Sequence, residues 1–318
     1  MKDRIREMKC SQCQKTAAVE LKYSKQFLCE AHFTRLFEKR VRRTIRKNKL
    51  LRYDDKIAVA LSGGKDSSVL LKILNELTKK VRTSSLFAIT IDEGIAGYSE
   101  NNIEITKKFC GELGIEHYIF SFKDETGITM DDVVNKIKNS GKAAPPCSYC
   151  GVFRRNLLNI KAREMGATKI ATGHNLDDEC QVMFMNFIRG DLGRIARMGT
   201  YTGIIKNEKF VPKIKPLREC PEDEVRMYAI LNELEINSER CPYSRYAFRE
   251  TVRNCLNGIE EKHPGSKFQA LKSIDELIPI MTNVYKTGEL PNKCEICGEL
   301  TSGRVCKFCE IMGEFQLL

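Results

Sequence analysis

Apolar positions along this chain recur with two periods. Between residues 53 and 172, short runs rich in β-branched and other apolar residues alternate with longer segments in which apolar side chains return every three or four positions. The runs 57–61 (IAVAL), 86–91 (LFAITI), 116–122 and 168–172 (TKIAT) predict strands, and the patterns between them predict helices over 66–80, 99–113, near 131–139 and over 152–165. Alternation of this kind predicts a parallel α/β sheet. Such a sheet takes its ligand beyond the carboxyl ends of its strands, where three segments fall: Ser62–Ser67, Asp92-Glu93-Gly94 and Gly173-His174-Asn175-Leu176-Asp177-Asp178. They are expected to share one crevice. The stretch 220–285 reads as helices, DEVRMYAILNEL and FRETVRNCLNGIEEKH among them, with no chemistry of its own apart from Cys241.

The segment from Ile57 to Leu71, IAVALSGGKDSSVLL, joins a buried strand to a helix through a turn suited to phosphate. Gly63 and Gly64 are free to adopt positive φ and turn backbone N–H groups into one concavity, Ser67 is placed to cap the helix, and Lys65 adds a cation. A Walker-type loop is excluded, because no glycine lies five residues upstream of Gly64. Asn175 is placed to cap a second helix whose first turn holds Asp177 and Asp178. Two carboxylates then stand at the edge of the phosphate site, suited to Mg2+ or to positioning an attacking group.

Charge adds a partner. With 53 Lys and Arg against 42 Asp and Glu, the chain carries +11, and the excess is uneven. Residues 35–52 crowd basic residues around the single acid Glu38 in an amphipathic pattern whose apolar stripe is Leu36, Phe37, Val41, Ile45 and Leu50 or Leu51. Arg40, Arg42, Arg43, Arg46 and Lys47 are the expected contacts to RNA. Few aromatics interleave them, which favours the phosphate backbone of a folded RNA over base stacking. No run of about 18 apolar residues occurs and MKDRIREMKCSQC has no secretory character, so a soluble cytoplasmic protein without membrane contact is expected.

In a reducing compartment the 14 cysteines read as ligands or reactive thiols before disulfides. Cys10-x2-Cys13 followed by Cys29-x2-His32 supplies four ligands for structural zinc, and Cys294-x2-Cys297 with Cys306-x2-Cys309 supplies four more. The third group differs. Cys147-x2-Cys150, in PPCSYCG, has no second pair nearby, and its best partner is Cys241 in RCPY. Three thiolates fit a [4Fe–4S] cluster with one iron left open, a persulfide-bearing redox pair, or a zinc site completed elsewhere, and spacing alone does not separate these. Cys110 and Cys180 read as core, while Cys220 and Cys255 are alternatives to Cys241.

Ser62-Gly63-Gly64-Lys65-Asp66-Ser67 resembles the PP-loop of the ATP pyrophosphatases, which split ATP between the α and β phosphates and adenylylate a substrate oxygen, and the GHNLDD string around His174 resembles a second motif of that family. The N-terminal finger, SGGKDS, PPCSYCG, GHNLDD, RCPYS and the C-terminal CxxC pair, in that order, resemble the tRNA 2-thiouridine synthetases of the TtuA/Ncs6 type over nearly the whole chain. The resemblance implies an ATP site at Ala60, Ser62, Gly63, Gly64, Lys65, Asp66, Ser67, Ile91, Gly173, His174 and Asp178. It implies catalytic roles for Lys65, Asp66, Asp178, Cys147 and Cys150. It also decides the three-way choice for the third group, implying a [4Fe–4S] cluster on Cys147, Cys150 and Cys241 with a basic residue, Arg154, close by. The implied reaction is adenylylation of the uridine C2 oxygen and its replacement by sulfur, at wobble uridine 34 in preference to uridine 54. Its requirements are ATP, Mg2+ and two Zn2+, and its partners tRNA, a thiocarboxylate carrier or sulfide, and a second copy of the chain. Rival classes are a PP-loop ligase of the NAD or lysidine synthetase kind and a non-catalytic RNA-binding module. The expected division is a finger over 1–34, a basic linker helix over 35–52, the PP-loop domain over 53–218, a helical extension over 219–288 and a second finger over 289–318.

Overall fold

The computed structural model describes residues 7–140, 145–199, 201–202, 208–237, 239–246, 248–284 and 292–315. It opens with a hairpin of β1 (Val19–Leu21) and β2 (Gln26–Leu28), which runs into helix α1 (Glu30–Lys47). The helix expected over 35–52 therefore starts earlier, from an extended Cys29, and ends at Asn48 with Lys49 in the left-handed region. Phe33, Phe37, Val41 and Ile45 form its buried stripe, and His32 stands in its first turn. Finger and basic helix are thus physically continuous.

The central sheet contains β3 (Lys56–Ala60), β4 (Ser85–Asp92), β5 (Glu116–Ser121), β6 (Lys169–Ala171), β7 (Tyr201–Thr202) and β8 (Lys213–Ile214). Their spatial order is β5-β4-β3-β6-β8-β7, all parallel except β7, which pairs antiparallel with β8 at the edge. The chain winds outward from β3 through β4 to β5 and then returns to the other side of β3. This switch opens a crevice at the end of β3. Helices α2 (Lys65–Thr78), α3 (Ser99–Leu113), α4 (Phe122–Thr126), α5 (Met130–Ser140), α6 (Pro146–Glu164), α7 (Leu176–Ile188) and α8 (Leu192–Ala196) follow the strands. Alternation along β3 sends Ile57 and Val59 to the core under α2, and Ala58 to the core with Phe87, Ile170 and the α6 residues Phe153 and Leu157.

Helix α6 begins six residues before the expected 152. Pro146 at its first position has the φ a helix needs and lacks only an N–H that would have been unpaired anyway, so the proline pair starts the helix and does not delay it. Cys147 and Cys150 are consequently helical.

The remaining helices brace this core. α9 (Glu222–Leu231) packs on α1 and α2, with Phe37 stacked on Tyr228 at 4.7 Å between ring centres. α10 (Phe248–Lys262) and α11 (Ser266–Val284) lie on α7, held by fully buried Arg218, which donates to Asp275 at 2.7 and 2.9 Å. The C-terminal hairpin of β9 (Asn292–Lys293) and β10 (Leu300–Thr301) leads to α12 (Lys307–Glu314), which packs on α6 through Phe308 against Phe153 at 5.3 Å.

Candidate active site

The turn after β3 is built by three small residues with different tasks. Gly63 has φ +77°, and a Cβ there would meet Asn102 Oδ1 at 3.1 Å. Gly64 is extended instead, with φ −83°, and is the residue from which α2 begins, so positive φ belongs to Gly63 alone. Ser67 does not cap α2; its hydroxyl donates to the Gly64 carbonyl at 3.0 Å and accepts the Ser62 N–H at 3.1 Å, tying the loop across its base. The first-turn N–H groups of α2 carry no side-chain cap and are left for an anion. Gly173 completes the floor: a Cβ would come within 2.8 Å of the Asp66 carbonyl carbon. Ala60, beside Ile89, and the buried Ile91 close the carboxyl ends of β3 and β4.

Charges converge above this floor. Lys65 Nζ donates to Asp66 at 2.9 Å and to Glu222 at 2.8 Å; the two carboxylates hold its pKa above the ordinary value against the effect of burial. Asp66 accepts a second bond from the Asn175 amide at 2.8 Å. Asn175 caps α7 in a reciprocal box with Asp178. Asp178 in turn accepts from Arg249 at 2.7 Å. Burial raises the pKa of both Asp66 and Asp178, opposed by Lys65 and Arg249 respectively. The expectation of two carboxylates at the phosphate edge needs correction. Asp177 turns away to accept the Glu222 N–H at 2.7 Å and the Lys267 ammonium, so only Asp178 belongs to the crevice. His174 Nδ1 stands 2.9 Å from the Thr172 hydroxyl, and burial, reinforced by Lys215, pushes its pKa down to about 4; it is neutral near pH 7.

The third cysteine group lies beside this network. Cys147 and Cys150 occupy the first turn of α6, and Cys241 precedes a short 3-10 turn over Pro242–Tyr246. Cys147 Sγ stands 3.5 Å from the Tyr243 carbonyl, and the Tyr243 hydroxyl donates to Asp131 at 2.6 Å, which anchors the Cys241 segment. Upstream on the same segment, the Asn237 N–H donates to the Gly63 carbonyl at 2.9 Å, so the arm bearing Cys241 is fastened to the phosphate turn itself. Burial pushes Cys150 up to about 12, opposed by Arg154, and burial likewise raises Cys241. Arg154 donates to Glu93 at 3.4 Å, so Glu93, in the segment expected at the crevice from its position after β4, joins the site. Cys147 is exposed and Cys150 and Cys241 are half-buried, so the trio is more open to solvent than the two terminal four-ligand groups taken together.

In those groups, Cys10, Cys13, Cys29 and His32, and likewise Cys294, Cys297, Cys306 and Cys309, the ligand atoms all lie within 4.8 Å of one another. Backbone N–H groups point at the sulfurs: Gln12 to Cys10 at 3.4 Å and Cys306 to Cys294 at 3.2 Å. Such bonds outweigh burial and bring Cys10 and Cys294 down to about 6, which favours thiolate. Four clustered sulfur or imidazole ligands fit tetrahedral zinc.

The basic helix departs from expectation at one residue. Arg40 is buried, donating to Glu224 at 2.7 Å and Tyr23 at 2.6 Å with its guanidinium over the Phe268 ring; it is a structural residue. The signal was present, since Arg40 lies three residues from Phe37 on the apolar stripe. Arg43, Arg46 and Lys47 are exposed and Arg42 is half-exposed beside Glu38 at 2.9 Å. A cleft of about 1820 Å3 between the finger, α1, α9 and α10 is lined by acids (Glu20, Glu38, Glu260) as well as bases (Lys15, Arg35, Arg226), so it offers a polyanion less than the outer face of α1 does.

The PP-loop domain family matches residues 33–258, and the N-terminal LIM domain of the 2-thiouridine synthetase TtuA matches residues 9–34. The chain is 39% identical to the tRNA 2-thiolation protein NcsA of Haloferax volcanii, over 97% of this chain and 99% of that one. It is 37% identical to the tRNA-5-methyluridine(54) 2-sulfurtransferase of Pyrococcus horikoshii, over 96% and 94%. Among solved structures, the U34-tRNA thiolase NcsA of Methanococcus maripaludis with its [4Fe–4S] cluster superimposes with a TM-score of 0.82 at 38% identity, covering 98% of this chain and 97% of that one.

Proposed function

The chain belongs to the PP-loop family of tRNA 2-thiolation enzymes, and from that premise we propose that it acts on wobble uridine 34, adenylylating the C2 oxygen with ATP and replacing it with sulfur. The observation that most supports the reading is the bond from Asn237, four residues before Cys241, to Gly63 of the turn, together with the 3.5 Å approach of Cys147 Sγ to the Tyr243 carbonyl. The C2 oxygen attacks the α phosphorus, forming the O–P bond as the α–β P–O bond breaks and pyrophosphate leaves. Sulfur then forms the C–S bond, and AMP departs with the former C2 oxygen. Lys65 and the α2 amides stabilise charge on the phosphates, and Asp66 with Asp178 would hold Mg2+. Cys147, Cys150 and Cys241 would hold a [4Fe–4S] cluster, which supplies a site for activating sulfur. Arg154 sets a positive charge beside these thiols, and Glu93 orients it.

The two four-ligand groups bind zinc in this reading, and the outer face of α1, through Arg42, Arg43, Arg46 and Lys47, meets the tRNA backbone. The sulfur donor is a thiocarboxylate carrier or sulfide, the enzyme works in the cytoplasm, and two copies associate. Among the described residues no helix is long and apolar enough to cross a membrane. The test is anaerobic reconstitution with iron and sulfide, followed by thiolation of unmodified tRNA with ATP and nucleoside mapping by mass spectrometry. Sulfur at position 34 that is lost in Cys241→Ala is the expected result. Sulfur at position 54 overturns the site assignment, and no sulfur incorporation overturns the activity.

A further inference from the structure

The first turn of α9 is a junction between parts of the molecule that carry different tasks. Glu224 faces the N-terminal module through Arg40 at 2.7 Å. Two residues earlier, Glu222 faces the phosphate turn: its carboxylate accepts Lys65 Nζ at 2.8 Å, with only 18% and 21% of the two side chains exposed. Its backbone N–H is itself fixed by Asp177 at 2.7 Å. Glu222 thus cannot follow Lys65 toward an incoming phosphate without disturbing the start of α7. A replacement partner is at hand. Arg226, one turn along α9 and exposed, lies 3.9 Å from the same Glu222 oxygen that Lys65 occupies.

We propose that Glu222 is a positioning residue that holds Lys65 in reserve at the edge of the phosphate turn and exchanges it for Arg226 when nucleotide phosphates enter. This rests on the ATP-dependent reading above and adds to it a built-in competitor. The anionic phosphates must outbid a carboxylate for the lysine, so nucleotide affinity is held below what the turn alone would give. Because Glu222 and Glu224 share one helical turn, the N-terminal module braces this competitor.

The test is calorimetric titration of the full chain with a non-hydrolysable α,β-methylene ATP analogue. Glu222→Gln is expected to bind about fivefold tighter, the gain set by loss of a partly buried ion pair. In a Lys65→Met background the same substitution is expected to bring no gain, which separates the exchange from a general effect of removing one negative charge. Arg226→Gln, at an exposed position that folding does not depend on, is expected to weaken binding about threefold by denying Glu222 its second partner. Unchanged or weaker binding by Glu222→Gln, or a gain that persists with Met at position 65, overturns the proposal. If the wild type binds the analogue and the variants behave otherwise than stated, the exchange alone falls; if the wild type binds no nucleotide, the ATP-dependent function falls with it.

Discussion

Asn175 donates its side-chain amide to Asp66 at 2.8 Å, although 109 positions separate them, and its side-chain oxygen meanwhile accepts the Asp178 N–H at 3.0 Å. One residue therefore starts α7 and sets the carboxylate of the phosphate turn. Asn175→Ala is expected to lose about 1 kcal/mol of stability from the missing cap. It should also raise the KM for ATP, because Asp66 keeps only Lys65 as partner. Thermal denaturation and steady-state kinetics check the two effects; a variant with unaltered KM would show that Asp66 needs no second partner.

Gly173→Ala asks for room that is not there. The new methyl group would meet backbone atoms of Asp66 and Ser67 at 2.8 and 2.9 Å, and neither end of that contact is a flexible side chain. We expect nucleotide affinity to fall at least tenfold as the turn is pushed open, with the sheet retained by circular dichroism.

His174 makes stability depend on pH. Its folded pKa of about 4 lies below the ordinary 6.5, so protons bind the unfolded chain more tightly. The stability it contributes is complete above pH 6.5 and is lost as pH falls toward 4. His174→Asn is expected to flatten the stability profile across that window in denaturant titrations at successive pH values.

Two arginines six positions apart on α1 are expected to behave oppositely. Arg40→Met strands the buried Glu224 carboxylate, one of whose oxygens already has no hydrogen-bond partner, and should destabilise by about 3 kcal/mol. Arg46→Ala, on the exposed face, should leave the melting temperature alone and weaken tRNA binding with a shallower salt dependence. Filter binding at several salt concentrations distinguishes them.

What the sequence disclosed followed from local chemistry. β3 and β4 were legible as apolar runs, the turn after β3 as Ser-Gly-Gly-Lys, the terminal four-ligand groups as paired spacings, and the Asn175 cap as Asn-Leu-Asp-Asp. What stayed hidden depended on partners far along the chain. Asp177 and Asp178 are indistinguishable in sequence, and it is Lys267, 90 residues on, together with the Glu222 N–H, that draws Asp177 away from the crevice. Glu222 and Arg249 carry no motif, yet they are the side chains that meet Lys65 and Asp178. The helix expected from 152 starts instead at Pro146, because a proline, which ends helices more visibly than it begins them, here supplies the first helical position.

The two terminal modules rest on different halves of the crevice. The C-terminal one presses Phe308 on Phe153 and Phe315 on Tyr149, both on the helix that carries Cys147 and Cys150. The N-terminal one reaches, through Arg40, the helix that holds Lys65. If the proposed roles of Cys147, Cys150 and Lys65 hold, inherited changes in the tail bear on sulfur handling and changes in the head on the use of nucleotide, so the two halves of the chemistry are open to separate adjustment by descent.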